Sequence, residues 1–174
     1  MLFRSNSGII VDSAGTFALK KVEGFYDGSP NACIGSNSGI NYYLDANSIV
    51  EYNGKINQTV TGIGSGVATL PQHKYGILRI SFTGVFNRTY AALAASNVFV
   101  RTQLQMVWGE LNLKGNTITI ESGAANAITR ANNSYIKSET AQPVNTSIVC
   151  WKNVGTGTHV FPFGVDTSTY RSEE

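Results

Sequence analysis

The carboxylates are the residues from which a glycoside-cleaving site would have to be built. Such chemistry uses two carboxyl groups held side by side across the bond that breaks. The eleven Asp and Glu residues are spread thinly, and no two fall in a stretch that would place them together. Glu51, Glu110 and Glu121 each follow a strand-like segment, but at different register positions. This spacing favours solvated strand surfaces, and we expect no catalytic residue.

The histidines and cysteines form no recognisable nucleophilic or metal-binding motif. His73 and His159 have no Ser, Asp or Cys partner in such a motif, which would need groups within hydrogen-bond reach. Cys33 and Cys150 are far apart in the chain and belong to no Cys-x-x-Cys or Cys/His cluster. We therefore predict two free, buried thiols, and we expect neither a metal nor a cofactor.

Aromatic residues offer a binding chemistry, because an exposed ring packs against the flat face of a sugar. Phe25 and Tyr26 lie in the turn-rich stretch 22–39, and Tyr42 and Tyr43 follow it. Adjacent strand residues point to opposite faces, so one ring of each pair would face outward. Loops on rigid scaffolds often carry function. The candidate ligand contacts are therefore Phe25, Tyr26, Tyr42 and Tyr43, with residues 22–39 as the recognition element.

The composition is typical of a turn-rich extracellular all-β protein. Hydrophobic residues make up 42% of the 174 residues, which is enough for a core, whereas only 14% are charged, below the usual quarter. The net charge is +2, and Lys20-Lys21 is the single adjacent basic pair, so no nucleic-acid footprint is present. No apolar run is long enough to cross a membrane, and no signal peptide is visible. The chain is then either cytosolic or a piece of a longer secreted protein, and the composition favours the second interpretation.

The strands that would position these groups are clearest between Asn97 and Glu121. Apolar residues occur there in pairs separated by one residue, so both members of a pair point to the same face of a strand. Polar residues such as Gln105, Asn112 and Thr119 fall on the opposite parity, and Gly109 and Lys114-Gly115-Asn116 stand where corners are needed. The apolar pairs are Val98/Val100, Leu104/Met106, Leu111/Leu113 and Ile118/Ile120.

A second, longer repeat predicts how the strands are arranged. About three short strands in each coil of roughly 20 residues is the arithmetic of a right-handed parallel β-helix, or solenoid, in which every coil stacks on the last. An antiparallel β-sandwich is the alternative fold, but it has no reason to keep a fixed interval. The residues that repeat are Leu78, Val98 and Ile118; Ile80, Val100 and Ile120; and Leu93 and Leu113.

We predict one solenoid over residues 1–164, with a loop-rich insertion near residues 22–39. Residues 165–174 would begin a following segment or form a tail. The Ala-rich stretch 89–96 has helical propensity, but it is shorter than a stable isolated helix and lies inside the repeat, so we expect a strand with a corner.

Five short sequence segments, taken in their order along the chain, resemble the β-helical region of large secreted surface proteins of Bacteroidetes. The resemblance covers about residues 45–165. It implies a parallel β-helix with adhesive or other surface functions, exported by the type IX secretion system. Neither the signal peptide nor the C-terminal sorting domain of those proteins is visible within the 174 residues, which depart from the pattern in this respect. The matching segments are Tyr52–Gly62, Tyr75–Ser81, Gly109–Ile120, Ala127–Glu139 and Trp151–Gly164.

The resemblance also suggests a location, a modification and partners. It implies an extracellular or cell-surface protein, and Asp12-Ser13-Ala14 resembles the short O-glycosylation motif of Bacteroidetes, which makes Ser13 a candidate. The expected partners are neighbouring domains of a longer chain, the type IX export machinery and a surface glycan. Uncovered strand edges at the two ends would also favour end-to-end self-association.

Together these features predict a non-catalytic structural or adhesive stalk segment. A glycan- or ligand-binding module on a β-helix is the second hypothesis, and a polysaccharide-cleaving β-helix enzyme is the third. The aromatic contacts at residues 25–26 and 42–43 would distinguish the second hypothesis, and a carboxylate cluster on one sheet face would distinguish the third.

Overall fold

The computed structural model describes residues 2–5, 8–20, 41–60, 74–82, 91–94, 96–131, 134–137, 147–164 and 170–171. Within these ranges the chain is all-β, without a helix. The strands are β1 (Leu2–Ser5), β2 (Gly8–Val11), β3 (Thr16–Leu19), β4 (Asn41–Leu44), β5 (Ile49–Tyr52), β6 (Gln58–Val60), β7 (Tyr75–Ser81), β8 (Ala91–Ala94), β9 (Val98–Asn112), β10 (Thr117–Ile120), β11 (Ile128–Arg130), β12 (Ser134–Lys137), β13 (Ile148–Trp151), β14 (Phe163–Gly164) and β15 (Tyr170–Arg171).

The strands pair almost entirely in parallel. Among the described residues, the antiparallel pairings are β1 with β2 and β14 with β15, and all the others are parallel. Parallel neighbours need a long crossover, whereas a sandwich is built from antiparallel hairpins and Greek keys. The parallel prediction is therefore confirmed, and the antiparallel sandwich is wrong for the described part of the chain.

Three parallel ladders organise the strands, and β9 runs through all of them. Ladder I contains β3, β5, β7, residues 103–106 of β9, and β11. Ladder II contains β6, β8, residues 110–112 of β9, β12 and β14. Ladder III contains residues 98–100 of β9, β10 and β13. The chain from β10 to β12 visits the ladders in the same order as β9 does, namely III, I and II.

The three-stranded sheet β1–β2–β4 lies on the same side as ladder III. Its strands β2 and β4 precede β3 and β5 by one turn, just as residues 98–100 precede residues 103–106. The side chains of Arg101 and Thr102, in β9, donate hydrogen bonds to the carbonyl oxygens of Leu44, the last residue of β4, and Ala46, in the turn that follows β4. Residues 101–102 therefore contact the turn between β4 and β5.

The interval between stacked strands varies, so the predicted fixed repeat is wrong outside one step. Val98 lies opposite Ile118 and Val100 opposite Ile120, as predicted. Leu78, however, pairs with Leu104 rather than Val98, and Ile80 pairs with Met106 rather than Val100. Leu93 pairs with Asn112 rather than Leu113. The number of residues between paired strands therefore differs from step to step, and register follows the pairing of strands rather than a constant count.

Inward positions form continuous apolar columns that make the core. The columns of ladder I are Phe17–Val50–Leu78–Leu104–Ile128 and Leu19–Tyr52–Ile80–Met106, and the exposed Arg130 follows Met106 in the second column. The predicted apolar pairs on β9 and β10 are all buried. Burial of this kind contributes about 25 cal/mol per Å² of apolar area. The inward assignment of these pairs is confirmed.

Alternation predicts Thr119 at the surface, and this prediction is wrong. Its side chain is only 5% exposed. Thr119 is on the opposite parity from Ile118 and Ile120, but Phe99 and Cys150 stand directly beside it on the two neighbouring strands of ladder III. The neighbouring side chains on both sides therefore cover this outward side chain.

Two corners and the Ala-rich strand agree with the sequence. Gly109 has φ of 97°, and Lys114 and Gly115 have φ of 50° and 84°, which is the left-handed region that turns require. Residues 91–94 form β8 rather than a helix. Tertiary pairing of β8 with β6 and β9 outweighs its alanine propensity.

A buried glutamine occupies an inward position on ladder II, opposite Ala92. Gln58 is fully buried; its Nε2 donates to the carbonyl oxygen of Leu19 at 3.0 Å, and its Oε1 accepts from the amide of Gly54 at 2.7 Å. The side chain thus links β6 to the end of β3. A polar group is tolerated in this column because the backbone satisfies it.

Gln58→Leu is expected to lower the free energy of unfolding by about 1–3 kcal/mol, because the Gly54 amide loses its buried acceptor. Urea unfolding followed by circular dichroism would measure the loss. Gln105→Leu is the control, since Gln105 is half-buried and bonds Arg79 on the outer face. An equal loss in the two variants would contradict this role for Gln58.

Candidate functional site

The residues predicted to contact a ligand are only partly placed. Phe25, Tyr26 and the insertion at residues 22–39 lie outside the described residues, as do His73 and Cys33. Tyr42 and Tyr43 are in β4, opposite Ile9 and Ile10 of β2. Their role as ligand contacts stays a prediction.

Ser13, the candidate O-glycosylation residue, lies in the turn between β2 and β3. The turn is closed by the Gly15 amide, which donates to the Asp12 carbonyl oxygen at 2.8 Å, and Ala14 takes φ of 60°. The Ser13 amide donates to the Asp12 carboxylate at 2.7 Å, and Ser13 itself is exposed. The hydroxyl is accessible to a modifying enzyme, and its modification stays a prediction.

The three carboxylates considered for catalysis stand on different ladders, each with its own partners. Glu51 on ladder I has Arg79 at 4.0 Å, and Glu121 follows ladder III and pairs with Lys74 at 2.6 Å. Glu110 on ladder II accepts from the hydroxyl of Tyr135 at 2.7 Å and from the Asn112 amide at 2.9 Å. These bonds hold the carboxylates as surface ties between neighbouring strands.

Groups that could hold a metal, or serve as a nucleophile, are not clustered in the described ranges. No set of three His, Cys, Asp or Glu residues there could hold a metal ion. Cys150 carries a free thiol on β13, but it is half-buried rather than buried as predicted, because β13 is the last strand of its ladder.

An open cleft lies at the corner between ladders II and III. Its volume is about 370 Å³, and it is lined by Thr59, Leu93, Ala94, Lys114 and Asn116. The Asn116 amide group already donates to the carbonyl oxygens of Ala94 and Leu113, at 3.0 and 2.9 Å. The lining therefore contains one cation and no acid–base pair.

The most unusual surface is a group of aromatic side chains on and after β13, which we call the terminal aromatic cluster: Trp151, His159, Phe161 and Phe163. The Trp151 ring lies edge-to-face with His159 at 4.8 Å and with Phe161 at 5.3 Å, between ring centroids. Phe161 and Phe163 are stacked at 5.9 Å. All four side chains are half-buried. Aromatic pairs of this geometry attract beyond their area of burial.

Hydrogen bonds fix the cluster in place. The indole N–H of Trp151 donates to the carbonyl oxygen of Ser122 at 2.7 Å. His159 Nδ1 lies 3.0 Å from the carbonyl oxygen of Gly157, which can only accept, so Nδ1 carries the proton. His159 Nε2 is enclosed and has no hydrogen-bond partner among the described residues.

The cluster is the last layer of the core rather than an added platform. Val149 and Trp151 lie opposite Ile118 and Ile120, and Phe163 lies opposite Ile136, so all three extend inward columns. Their partners are fully buried, whereas these residues are only half-buried and pack against the core from one side. The other side of this layer carries no further strand in the part of the chain described.

The three ladders end differently at this layer. On ladder II, β15 pairs antiparallel with β14 and covers it. On ladder I, the exposed Arg130 takes the inward position after Met106, and such a charge discourages further pairing. On ladder III, the pairing partner of β13 among the described strands is β10 alone, and Ile148 on β13 is 52% exposed. In the described part of the chain, ladder III is therefore the one that ends without a covering strand.

Sequence reasoning missed this surface. The phrase from Trp151 to Gly164 contributed to the resemblance, but its aromatic residues were not considered as one group. Alternation would have placed Phe161 and Phe163 on one face of a strand. The pairing of β13 and β14 alone shows that these residues lie at one end of the described strands.

Comparisons with known proteins give no match to a family model, a curated protein or a solved structure. Within the described residues, no helix is long and apolar enough to cross a membrane.

Proposed function

We propose that the chain is a right-handed parallel β-helix that acts as a non-catalytic stalk or adhesive segment of a secreted bacterial surface protein. The observation that carries this proposal is the set of inward columns, which pass through successive strands on three parallel ladders. Right-handed crossovers are the rule between parallel strands of one sheet. Extension of such columns builds a rod whose hydrogen bonds run along its axis.

The chemistry of the outer surface supports a structural role. The carboxylates on the ladders are tied to neighbouring cations, amides and hydroxyls, as Glu51, Glu110 and Glu121 illustrate. Outward polar groups also bond between coils on ladder I, where Arg79 Nε donates to Gln105 Oε1 at 2.7 Å. Such ties hold adjacent coils in register and contribute little to chemistry on a bound substrate.

The proposed setting is the cell surface, with neighbouring domains and the type IX export machinery as partners. Its support is the resemblance over residues 45–165 together with the low charge. Glycan binding through residues 25–26 and 42–43 and polysaccharide cleavage stay alternative hypotheses. Glycan-array binding that disappears when residues 22–39 are deleted would favour the first alternative.

The cellular test is protease treatment of intact source cells, followed by detection with antibodies against this chain. We expect the native polypeptide to be much longer than the present chain and to be cut by external protease, because a stalk projects from the cell. A cytoplasmic protein detected in the same samples is the control and should remain whole. Retention of the intact chain inside the cells would contradict the surface role.

A further inference from the structure

Among the described strands none pairs with the second edge of β13, and this edge has the properties of a strand-docking site. Because the amides of Ile148 and Lys152 donate to the carbonyl oxygens of Asn116 and Ile120 of the β10 segment, at 3.2 and 2.8 Å, the even-numbered residues of β13 face β10. In a parallel ladder the alternate residues point their amides the other way. The N–H groups of Val149 and Trp151 therefore face the open side, and an added strand could accept them.

The opposite end of the molecule offers a matching edge on the same side. There, β1 pairs antiparallel with β2 and is the outermost strand of its sheet within the described ranges. Leu2 stands opposite Val11, whose buried side chain precedes Leu44 in its inward column. On this side of the molecule, β1 is thus the strand at one end, at the register position of Leu2, and β13 is the strand at the other end, at Trp151.

We propose that β13 binds β1 of a second copy of this chain, so that molecules associate head to tail along the stacking axis. If one copy is translated along that axis, its β1 comes to lie next to β13 of the other copy in antiparallel orientation. The inward positions of Val149 and Trp151 are then followed by a further strand. Ladders I and II contribute no pairing, because Arg130 and β15 close them. A heterologous contact of this kind does not close on itself and leads to chains of molecules.

This inference rests on the proposed structural role, but its test is made on the purified full chain and does not depend on cellular location. Sedimentation velocity over a dilution series should show an average mass that rises with concentration. A wild-type chain that stays monomeric throughout the series overturns the proposal. Protease protection in cells, by contrast, would overturn only the surface role.

Ile148→Lys tests the edge of β13, and Ile56→Lys is its matched control. Ile148 is 52% exposed on β13, whereas Ile56 is 42% exposed in the turn before β6, so both accept a lysine without loss of core packing. A lysine on an edge strand opposes pairing. We expect Ile148→Lys to weaken association at least about tenfold and Ile56→Lys to leave it unchanged. Equal effects of the two variants would overturn the proposal.

A mixing experiment tests the identity of the partner edge. Consecutive residues of a strand point their N–H groups to opposite sides, so one of Phe3 and Arg4 points its N–H away from β2. The double variant Phe3→Pro, Arg4→Pro removes this N–H, and β1 can then no longer serve as an edge. This variant keeps β13, and Ile148→Lys keeps β1. Each alone should be monomeric, and their mixture should form a one-to-one complex. Self-association of the β1 variant at wild-type strength would show pairing between two β13 edges and overturn the head-to-tail arrangement.

Discussion

Ile118→Asp is expected to unfold the chain. Ile118 is fully buried at the centre of ladder III, between Val98 and Val149 in the same inward column. A carboxylate there would have no cation or amide donor in its column and would lose its hydration, at a cost of about 5 kcal/mol. That loss is comparable to the whole stability of many domains. Circular dichroism and urea unfolding would measure it.

Thr117→Asp is the matched control, because Thr117 is on the same strand next to Ile118 and points outward. It is half-buried beside Ile148, and its own amide is already bonded to Asn97 Oδ1 at 2.9 Å. We expect a loss below about 1 kcal/mol, as is usual for surface substitutions. Thr119 cannot serve as the control because it is buried. If both variants unfolded equally, the inward assignment of Ile118 would be wrong.

Gly76→Ala is expected to be nearly as damaging, although it adds only one methyl group. A Cβ at this buried position would lie 2.1 Å from the carbonyl oxygen of Asp45 and 2.7 Å from that of Ala46. Both are backbone atoms of the turn between β4 and β5. The side chains of Arg101 and Thr102 bond to the carbonyl oxygens of Leu44 and Ala46 and hold this turn. The turn has little freedom to move away from the added carbon.

The free energy of unfolding should fall by about 3 kcal/mol, the upper part of the range for overpacking. Thermal unfolding would register this as a drop of about 6–12 °C in Tm. Gly155→Ala is the control, since a Cβ at Gly155 meets nothing within 4 Å. An unchanged Tm for Gly76→Ala would mean that the turn at Asp45 relaxes freely.

The sequence was informative about side-chain direction, because alternation depends only on neighbouring residues. Leu104 and Met106, or Leu111 and Leu113, could therefore be assigned to the core in advance. The register between paired strands could not be predicted in the same way. The interval from Leu78 to Leu104 contains a further strand, β8, and its length is not constrained by any local pattern, so the partner of Leu78 could not be counted out in advance.

The surface, including the terminal aromatic cluster, was harder to predict than the core. The burial of Thr119 results from Phe99 and Cys150, which are distant from it in sequence and become adjacent only after strand pairing. In the same way, nothing in the residues themselves marks Trp151 as belonging to an end layer. Its half-exposure follows from the lack of a strand beyond β13 in the described part of the chain.

The course of β9 through all three ladders has a consequence for the order of folding. This strand pairs on both of its edges: with β7 and β8, which precede it in the chain, and with β10, β11 and β12, which follow it. Once β9 has formed, strands can be added along both of its edges, and each added strand needs contacts only with the strand before it. Assembly would start in the middle and spread outward, so the strands at the two ends would form last and open first.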